Sequence, residues 1–255
     1  HSNAHPPGEL RGQILPEDFV LHFTKLDGES EAPSVDTVAS GRAAATINTA
    51  TGALAVHAYV VGLDDATAAH VHDAYAGDNG PVLVGLAQDA MDVTRWFVEG
   101  ATLNAAGLDA FAKGRLYVNV HSPSDPGGEV RGQIIPDGIT LIYTELSGDQ
   151  EVPAVETDAG GLAALTLDAA GMLLTVHVNT SRLDGATAAH LHGEFAGANG
   201  GVEIGLNADG TDPGHWFVEE QAIDQAQLDA LNAGATYINV HSPNHPGGEV
   251  RGQVI

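Results

Sequence analysis

The chain repeats itself at a fixed spacing of 120 residues, and this feature constrains its fold more than any other. The segment HSPSDPGGEVRGQI, which starts at His121, recurs as HSPNHPGGEVRGQV from His241, and a looser copy starts at His1. Trp96 and Trp216 keep the same offset, and no gap interrupts it. A gap-free repeat of this length has the size of an ordinary domain, so the sequence predicts two tandem copies of one domain.

The 255 residues hold two full repeats and a short remainder. If the His-Ser-Pro segment closes each domain, the domains are residues 16–135 and 136–255, and residues 1–15 are the terminal strand of a preceding repeat. The alternative is that residues 1–15 add a strand to a neighbouring molecule. The repeat also favours self-association of the domains end to end, into a rod or filament.

Each repeat has the pattern of an all-β protein. Short apolar, β-branched runs such as 54–61 alternate with turn sequences rich in Gly, Asn and Asp. One helix per repeat is predicted, over 103–113 and 222–233, and Gly114 and Gly234 are expected to end them. The helices are too few and too short for an α/β sheet. We therefore expect two tandem Greek-key β-sandwiches, each with one short helix.

The composition excludes several classes of site and partner. Asp and Glu number 34 against 9 Lys and Arg, and the formal charge of −25 repels nucleic acid and anionic membrane surfaces. No apolar run reaches transmembrane length. The absence of cysteine excludes disulfides and thiolate metal sites. We expect no nucleic-acid partner and no membrane insertion, while an acidic surface suits solubility in salty water or the capture of cations.

Histidine is unusually frequent in this composition, and four histidines recur in each repeat. The other histidines do not recur in this way, since His22 aligns with Ile142 and His215 aligns with Arg95. Imidazole is a common ligand of copper and zinc, so the recurring histidines predict a metal site in each domain. The predicted ligands are His57, His70, His72 and His121 in the first domain, and His177, His190, His192 and His241 in the second.

Strand alternation places these histidines on the face that points away from the core. His70 and His72 share one face of a strand, with Val71 between them on the core side, as two ligands from one strand require. A roughly planar set of four nitrogens favours Cu(II) and a tetrahedral set favours Zn(II). We expect copper, with zinc as the alternative. The competing interpretation is that these are ordinary surface histidines used for hydrogen bonding or pH response.

Three motifs of the chain resemble those of the CHRD domain family, named after chordin. In the second repeat they are LSGDQEVPAVET from Leu146, AAHLHG from Ala188, and YINVHS from Tyr237 followed by GGEVRGQ from Gly247. The first repeat has the same set in a looser form. The resemblance covers nearly the whole chain. It implies an immunoglobulin-like β-sandwich and an extracellular or cell-surface setting, and it implies little about activity.

The His-x-His strand with two further strand histidines is also similar to the copper half of Cu/Zn superoxide dismutase. The similarity is one of pattern only, because the chain lacks the dense His and Asp zinc loop and the disulfide. The favoured hypothesis is a non-catalytic, secreted metal-binding repeat protein of the cell surface or extracellular matrix. The alternatives are a copper-dependent redox enzyme of superoxide dismutase type and an adhesive module without metal.

Two further features carry weaker predictions. The acidic turns at 27–31 and 147–151 offer oxygen ligands for calcium, although neither has the spacing of an EF-hand. Arg131 and Arg251 recur within the motif GEVRGQ in a chain poor in arginine, and they predict a structural pair between arginine and a carboxylate.

Overall fold

The computed structural model describes residues 12–255. The first repeat consists of β1 (Phe19–Leu26), β2 (Ser40–Asn48), β3 (Ala53–Val61), β4 (Ala68–Asp73), β5 (Val82–Gln88), β6 (Arg95–Thr102), α1 (Ala105–Ala112), β7 (Leu116–His121) and β8 (Val130–Gln133). The second repeat consists of β9 (Ile139–Ser147), a 3₁₀ turn (Gly148–Gln150), β10 (Gly160–Asp168), β11 (Leu173–Ser181), β12 (Ala188–Gly193), β13 (Gly201–Gly205), β14 (Asn207–Ala208), β15 (His215–Ala222), α2 (Gln225–Asn232), β16 (Thr236–His241) and β17 (Val250–Val254). The strand predicted at residues 1–15 falls mainly on residues 1–11, which lie outside the described residues, and it stays a prediction.

The strands of each repeat form one antiparallel, barrel-like sheet. In the first repeat their order is β1-β2-β3-β6-β5-β4-β7-β8. Asp27 and Arg131 exchange two backbone hydrogen bonds, of 3.1 and 2.9 Å, which connect the two ends of this order. In the second repeat β17 pairs with β9, and the strand that corresponds to β5 is interrupted into β13 and β14. Closure of this kind covers the strand edges that an open sheet would expose.

The all-β class and the single short helix of each repeat are confirmed, but the expected immunoglobulin-like sandwich is corrected to a barrel-like sheet. A sandwich keeps two sheets apart across the core, whereas β5 bonds to both β4 and β6 and joins the two halves. The hairpin-connected strands β4 to β6 are followed by β7, which returns beside β4 in a Greek-key connection.

Each barrel encloses its own apolar core, built from the residues that alternate inward along the strands. Trp96 and Trp216 are buried in the two cores. The predicted ends of the helices are confirmed at Gly114 and Gly234, which adopt φ values of +72° and +67° just beyond α1 and α2. The helix α1 begins where the Asn104 side chain accepts a hydrogen bond of 2.9 Å from the backbone of Gly107.

Candidate metal centre

Three histidines of the first repeat converge on the outer face of the barrel wall. His70 and His72 lie on β4, with Val71 between them pointing into the core, and His121 ends the neighbouring strand β7. The register sets His121 opposite Ala68, diagonally next to His70. His70 Nδ1 and His121 Nε2 are 3.0 Å apart. One ligand atom from each histidine lies within 4.8 Å of the other two.

The second repeat builds the same triad from His190, His192 and His241. His190 Nδ1 and His241 Nε2 are again 3.0 Å apart. Within residues 12–255, no other group of three or more His, Asp or Glu side chains brings its ligand atoms this close together. The repeat has therefore duplicated one site, and six of the eight predicted ligands lie in the two triads.

Backbone carbonyls fix the protonation of two histidines in each triad. In the first, His72 Nδ1 is 3.0 Å from the carbonyl oxygen of Gly80, and His121 Nδ1 is 3.1 Å from that of Pro126. A carbonyl oxygen only accepts, so each Nδ1 carries the proton and each Nε2 keeps its lone pair. The second triad has the same two bonds, at 3.1 and 3.0 Å. Metal-bound histidines commonly donate their second N–H to a carbonyl in this way.

The triads hold neutral imidazoles, and in each triad the first histidine, His70 or His190, is only partly buried. Burial lowers the pKa of His72 to about 4, and it also lowers the pKa of His70 and His121. The pKa values of all three histidines in the second triad are likewise lowered by burial. The Nε2 atoms of His72 and His192 are buried without a hydrogen-bond partner, which costs free energy. This donor set fits a copper or zinc ion, to which imidazole nitrogen binds at about 2.0–2.1 Å in the case of zinc.

A column of stacked side chains supports each triad. The rings of His72 and Tyr117 are stacked with their centroids 5.0 Å apart, and the guanidinium carbon of Arg131 lies 3.5 Å from the Tyr117 centroid. In the second repeat the corresponding distances are 4.8 and 3.4 Å. The tyrosine hydroxyl accepts a hydrogen bond of 3.1 Å from the backbone of Gly80, the residue whose carbonyl holds His72. The column therefore fixes the orientation of the His72 ring.

Sequence reasoning missed Tyr117 as a supporting residue, although it recurs as Tyr237 and shares a strand face with His121. The pair expected between Arg131 and a carboxylate is corrected. The fully buried guanidinium of Arg131 donates instead to the main-chain carbonyls of Asp78, at 2.6 Å, and Tyr75, at 2.9 Å. The carbonyl acceptors engage the two terminal nitrogens, while Nε is buried without a partner, and the charge is left to longer-range partners.

The predicted cluster of four histidines is corrected to three, because His57 and His177 lie elsewhere. His57 is on β3, which directly precedes β4 in sequence but is separated from it in the barrel by β6 and β5. Its Nδ1 is 3.2 Å from the Arg95 guanidinium and its Nε2 is 3.4 Å from Glu99. The alternation rule placed His57 on the outer face correctly, but strand order decides which outer residues meet.

His177 lies in a hydrogen-bonded chain that has a counterpart in the first repeat, where Arg95 connects His57 to Asp89. Its Nδ1 is 3.0 Å from His215 Nε2, and His215 Nδ1 is 3.0 Å from a carboxylate oxygen of Asp209. On the other side, His177 Nε2 is 3.5 Å from Glu219. Since Arg95 occupies the position of His215 in the first repeat, the two repeats differ here while their triads agree.

Two carboxylates of the first acidic turn are engaged within the first barrel. Asp27 accepts a hydrogen bond of 2.9 Å from the backbone of Ser30 and pairs with Lys25 at 3.0 Å. Glu31 accepts a hydrogen bond of 3.2 Å from Asn119. A calcium site in these turns stays a prediction.

In the part of the chain that the structure describes, neither helix has the length and apolar character needed to cross a membrane. The chain is 32% identical to Chordin of Xenopus laevis over 168 residues, which make up 59% of this chain and 17% of that protein. It is 31% identical to Chordin of Danio rerio over 160 residues, 54% of this chain and 16% of that protein. The chain thus spans about a sixth of the length of these curated relatives. No solved structure matches it.

The CHRD domain family matches residues 23–134 and 142–254. The first match contains the triad of His70, His72 and His121, and the second contains its copy 120 residues later. The matched segments cover most of the sequence and coincide with the two barrels. This chain belongs to the CHRD family, as a tandem of two CHRD domains.

Proposed function

We propose that this chain is an extracellular or cell-surface protein that binds one metal ion in the histidine triad of each CHRD domain. The observation that carries this proposal is the pair of buried, unpartnered Nε2 atoms of His72 and His192, each within a cluster of three neutral imidazoles. A bound ion would give each of these nitrogens the partner it lacks. The carbonyl bonds to Nδ1 support the same proposal, because they hold the rings with their lone pairs available.

Copper is the proposed metal, and zinc is its competitor. The ligand set consists of imidazole nitrogen alone, which both metals accept, and Cu(II) binds such nitrogen sites more tightly than Zn(II) in the Irving–Williams order. The net charge of −25 adds a field that raises the local concentration of any cation. The extracellular setting is supported by membership of the CHRD family.

The proposal is tested by titrating chelator-treated, metal-free protein with Cu(II) and following the bound ion by electron paramagnetic resonance. We expect two ions per chain, with spectra that show nitrogen ligands. The substitution His72→Ala is expected to reduce the stoichiometry from two to one. His57→Ala is the matched control, since His57 recurs in the repeat but lies outside the triad, and it should leave two ions bound. Equal loss in both variants, or loss in neither, would contradict the proposed site.

A second candidate is a copper-dependent redox enzyme of superoxide dismutase type. It is favoured by one observation, that three histidines leave part of the coordination sphere of an ion free of protein ligands. The copper-loaded chain should then remove superoxide at a rate that His72→Ala and His192→Ala together abolish. A rate no higher than that of the variant would leave metal binding as the function of the triads.

A further inference from the structure

The two barrels of this chain contact each other through a defined pair of surfaces. The loop after β4 packs against the outer face of β10 and β11, so that Tyr75 is only 4% exposed. The Tyr75 hydroxyl donates to Glu220 at 3.0 Å, and the ammonium group of Lys113 lies 2.9 Å from the same carboxylate oxygen. A side-chain methyl group at Gly77 would lie 2.7 Å from Cβ of His177. The fit between loop and face is therefore close.

The same loop recurs at the far end of the second barrel, where none of residues 12–255 covers it. This docking loop, residues 194–198, corresponds to 74–78, and Phe195 stands at the position of Tyr75. Phe195 is 55% exposed, and a methyl group at Gly197 would meet nothing within 4 Å. The burial of 74–76 in the first barrel is thus a consequence of the contact with the second barrel and not of the loop conformation alone.

The receiving face also recurs on the first barrel, where none of the described residues covers it. On the second barrel this face consists of Tyr143, Ala164, His177 and Asn179. The corresponding residues of the first barrel are Phe23, Ala44, His57 and Tyr59. Phe23 is 77% exposed and Tyr59 is 48% exposed, whereas His177 is almost fully buried against the neighbouring barrel. Within residues 12–255, one end therefore carries an exposed docking loop and the other end an exposed receiving face.

The exposed docking loop and the exposed receiving face both differ in sequence from the surfaces that meet within the chain. In the occupied contact, Tyr75 and Lys113 both reach the carboxylate of Glu220. On the docking side their counterparts are Phe195 and Ala233, which cannot form those bonds, and on the receiving side Gly100 replaces the glutamate. All three members of the occupied contact are thus replaced by uncharged residues whose side chains form no hydrogen bond. The free pair is instead more apolar, with Phe195 opposite a face that carries Phe23 and Tyr59.

We propose that the docking loop of one copy of this chain packs on the receiving face of a second copy, in the manner of the contact within the chain. The interface joins two different surfaces, so each added copy presents a new free end and association continues into a linear chain of molecules. The proposal goes beyond metal binding and does not depend on it.

The first test is sedimentation of chelator-treated protein over a range of concentrations, by analytical ultracentrifugation. The wild type is expected to form a ladder of species that lengthens with concentration. Phe195→Asp places a charge in the apolar contact and should weaken association about tenfold or more. Val38→Asp is the matched control, because Val38 is 97% exposed and lies outside the receiving face. Its counterpart in the second barrel, Asp158, is exposed even though the receiving face of that barrel is covered. It should sediment as the wild type does.

The second test mixes two variants that are each blocked at one end. Phe195→Asp keeps a working receiving face, and Tyr59→Asp keeps a working docking loop, so each is expected to be monomeric alone and the mixture to form only one-to-one dimers. Both positions are exposed in the single chain, and circular dichroism checks that both variants fold. A wild type that stays monomeric up to millimolar concentration overturns the proposal. Association that Phe195→Asp leaves unchanged, or dimers formed by either variant alone, also overturns it.

Discussion

His72 is a buried histidine whose two ring nitrogens have different surroundings. Its Nδ1 is satisfied by the carbonyl of Gly80, its ring stacks on Tyr117, and its Nε2 is left without a partner. An imidazole that is buried, oriented and neutral is prepared for a metal ion and is unsuited to a charged, pH-responsive role at neutral pH. The burial of His72 therefore disfavours a pH-responsive role, while a purely hydrogen-bonding role of the triad stays the alternative to metal binding.

Glu31 gives a prediction on pH dependence at the same scale. Burial raises the pKa of Glu31 to about 7, from 4.5, and one of its carboxylate oxygens has no partner. The folded protein therefore keeps the proton of Glu31 over a pH range in which the unfolded chain releases it. The stability that this proton contributes is complete below about pH 4.5 and is lost as the pH rises through about 7.

We expect Glu31→Gln to raise the free energy of unfolding at pH 8 by about 1–3 kcal/mol, and to change it little at pH 4.5. Urea denaturation of the metal-free protein across this pH range measures the effect. Glu29→Gln, at an exposed position two residues away, is the control and should change the free energy at neither pH. An equal gain from both substitutions would show that general charge reduction, and not the burial of Glu31, determines the stability.

At the scale of elements, Gly77 and Gly197 form a matched pair in equivalent loops. Their φ values are +87° and +84°, so alanine incurs the same backbone strain at both positions, roughly 1 kcal/mol. Only at Gly77 would the new methyl group meet a neighbour, Cβ of His177 at 2.7 Å. We expect Gly77→Ala to destabilise the dilute chain by about 1–3 kcal/mol more than Gly197→Ala, as measured by chemical denaturation. Equal destabilisation would contradict the packing of the two barrels described above.

Local patterns predicted the elements well and their arrangement less well. The predicted helix at 103–113 is present as Ala105–Ala112, and it starts two residues later because Asn104 caps it. Alternation along β4 correctly placed His70 and His72 on one outer face. The error over His57 arose because β3 and β4 are consecutive in sequence but not adjacent in the barrel. Strand order depends on long-range pairing, which no local pattern contains.

At the scale of the whole molecule, duplication explains both the agreement and the differences between the two barrels. The triads, the carbonyl bonds and the tyrosine–arginine columns occur twice with nearly the same distances. The surfaces between barrels differ, since one pair is occupied within the chain and the other is exposed in the described part of it. The 120-residue period predicted the repeated site, whereas closure of each sheet through β5 and the Asp27–Arg131 bridge became evident only in three dimensions.

The most direct test of the metal sites is the metal content of the protein as purified, without added metal and without chelator, by elemental mass spectrometry. The comparison is a variant in which His70, His72, His190 and His192 are all changed to Ala. We predict about two copper ions per wild-type chain, one for each triad, and none in the variant. Wild-type protein that contains no copper or zinc, and takes up neither when it is supplied, would contradict the account and leave the triads as packing and hydrogen-bonding groups.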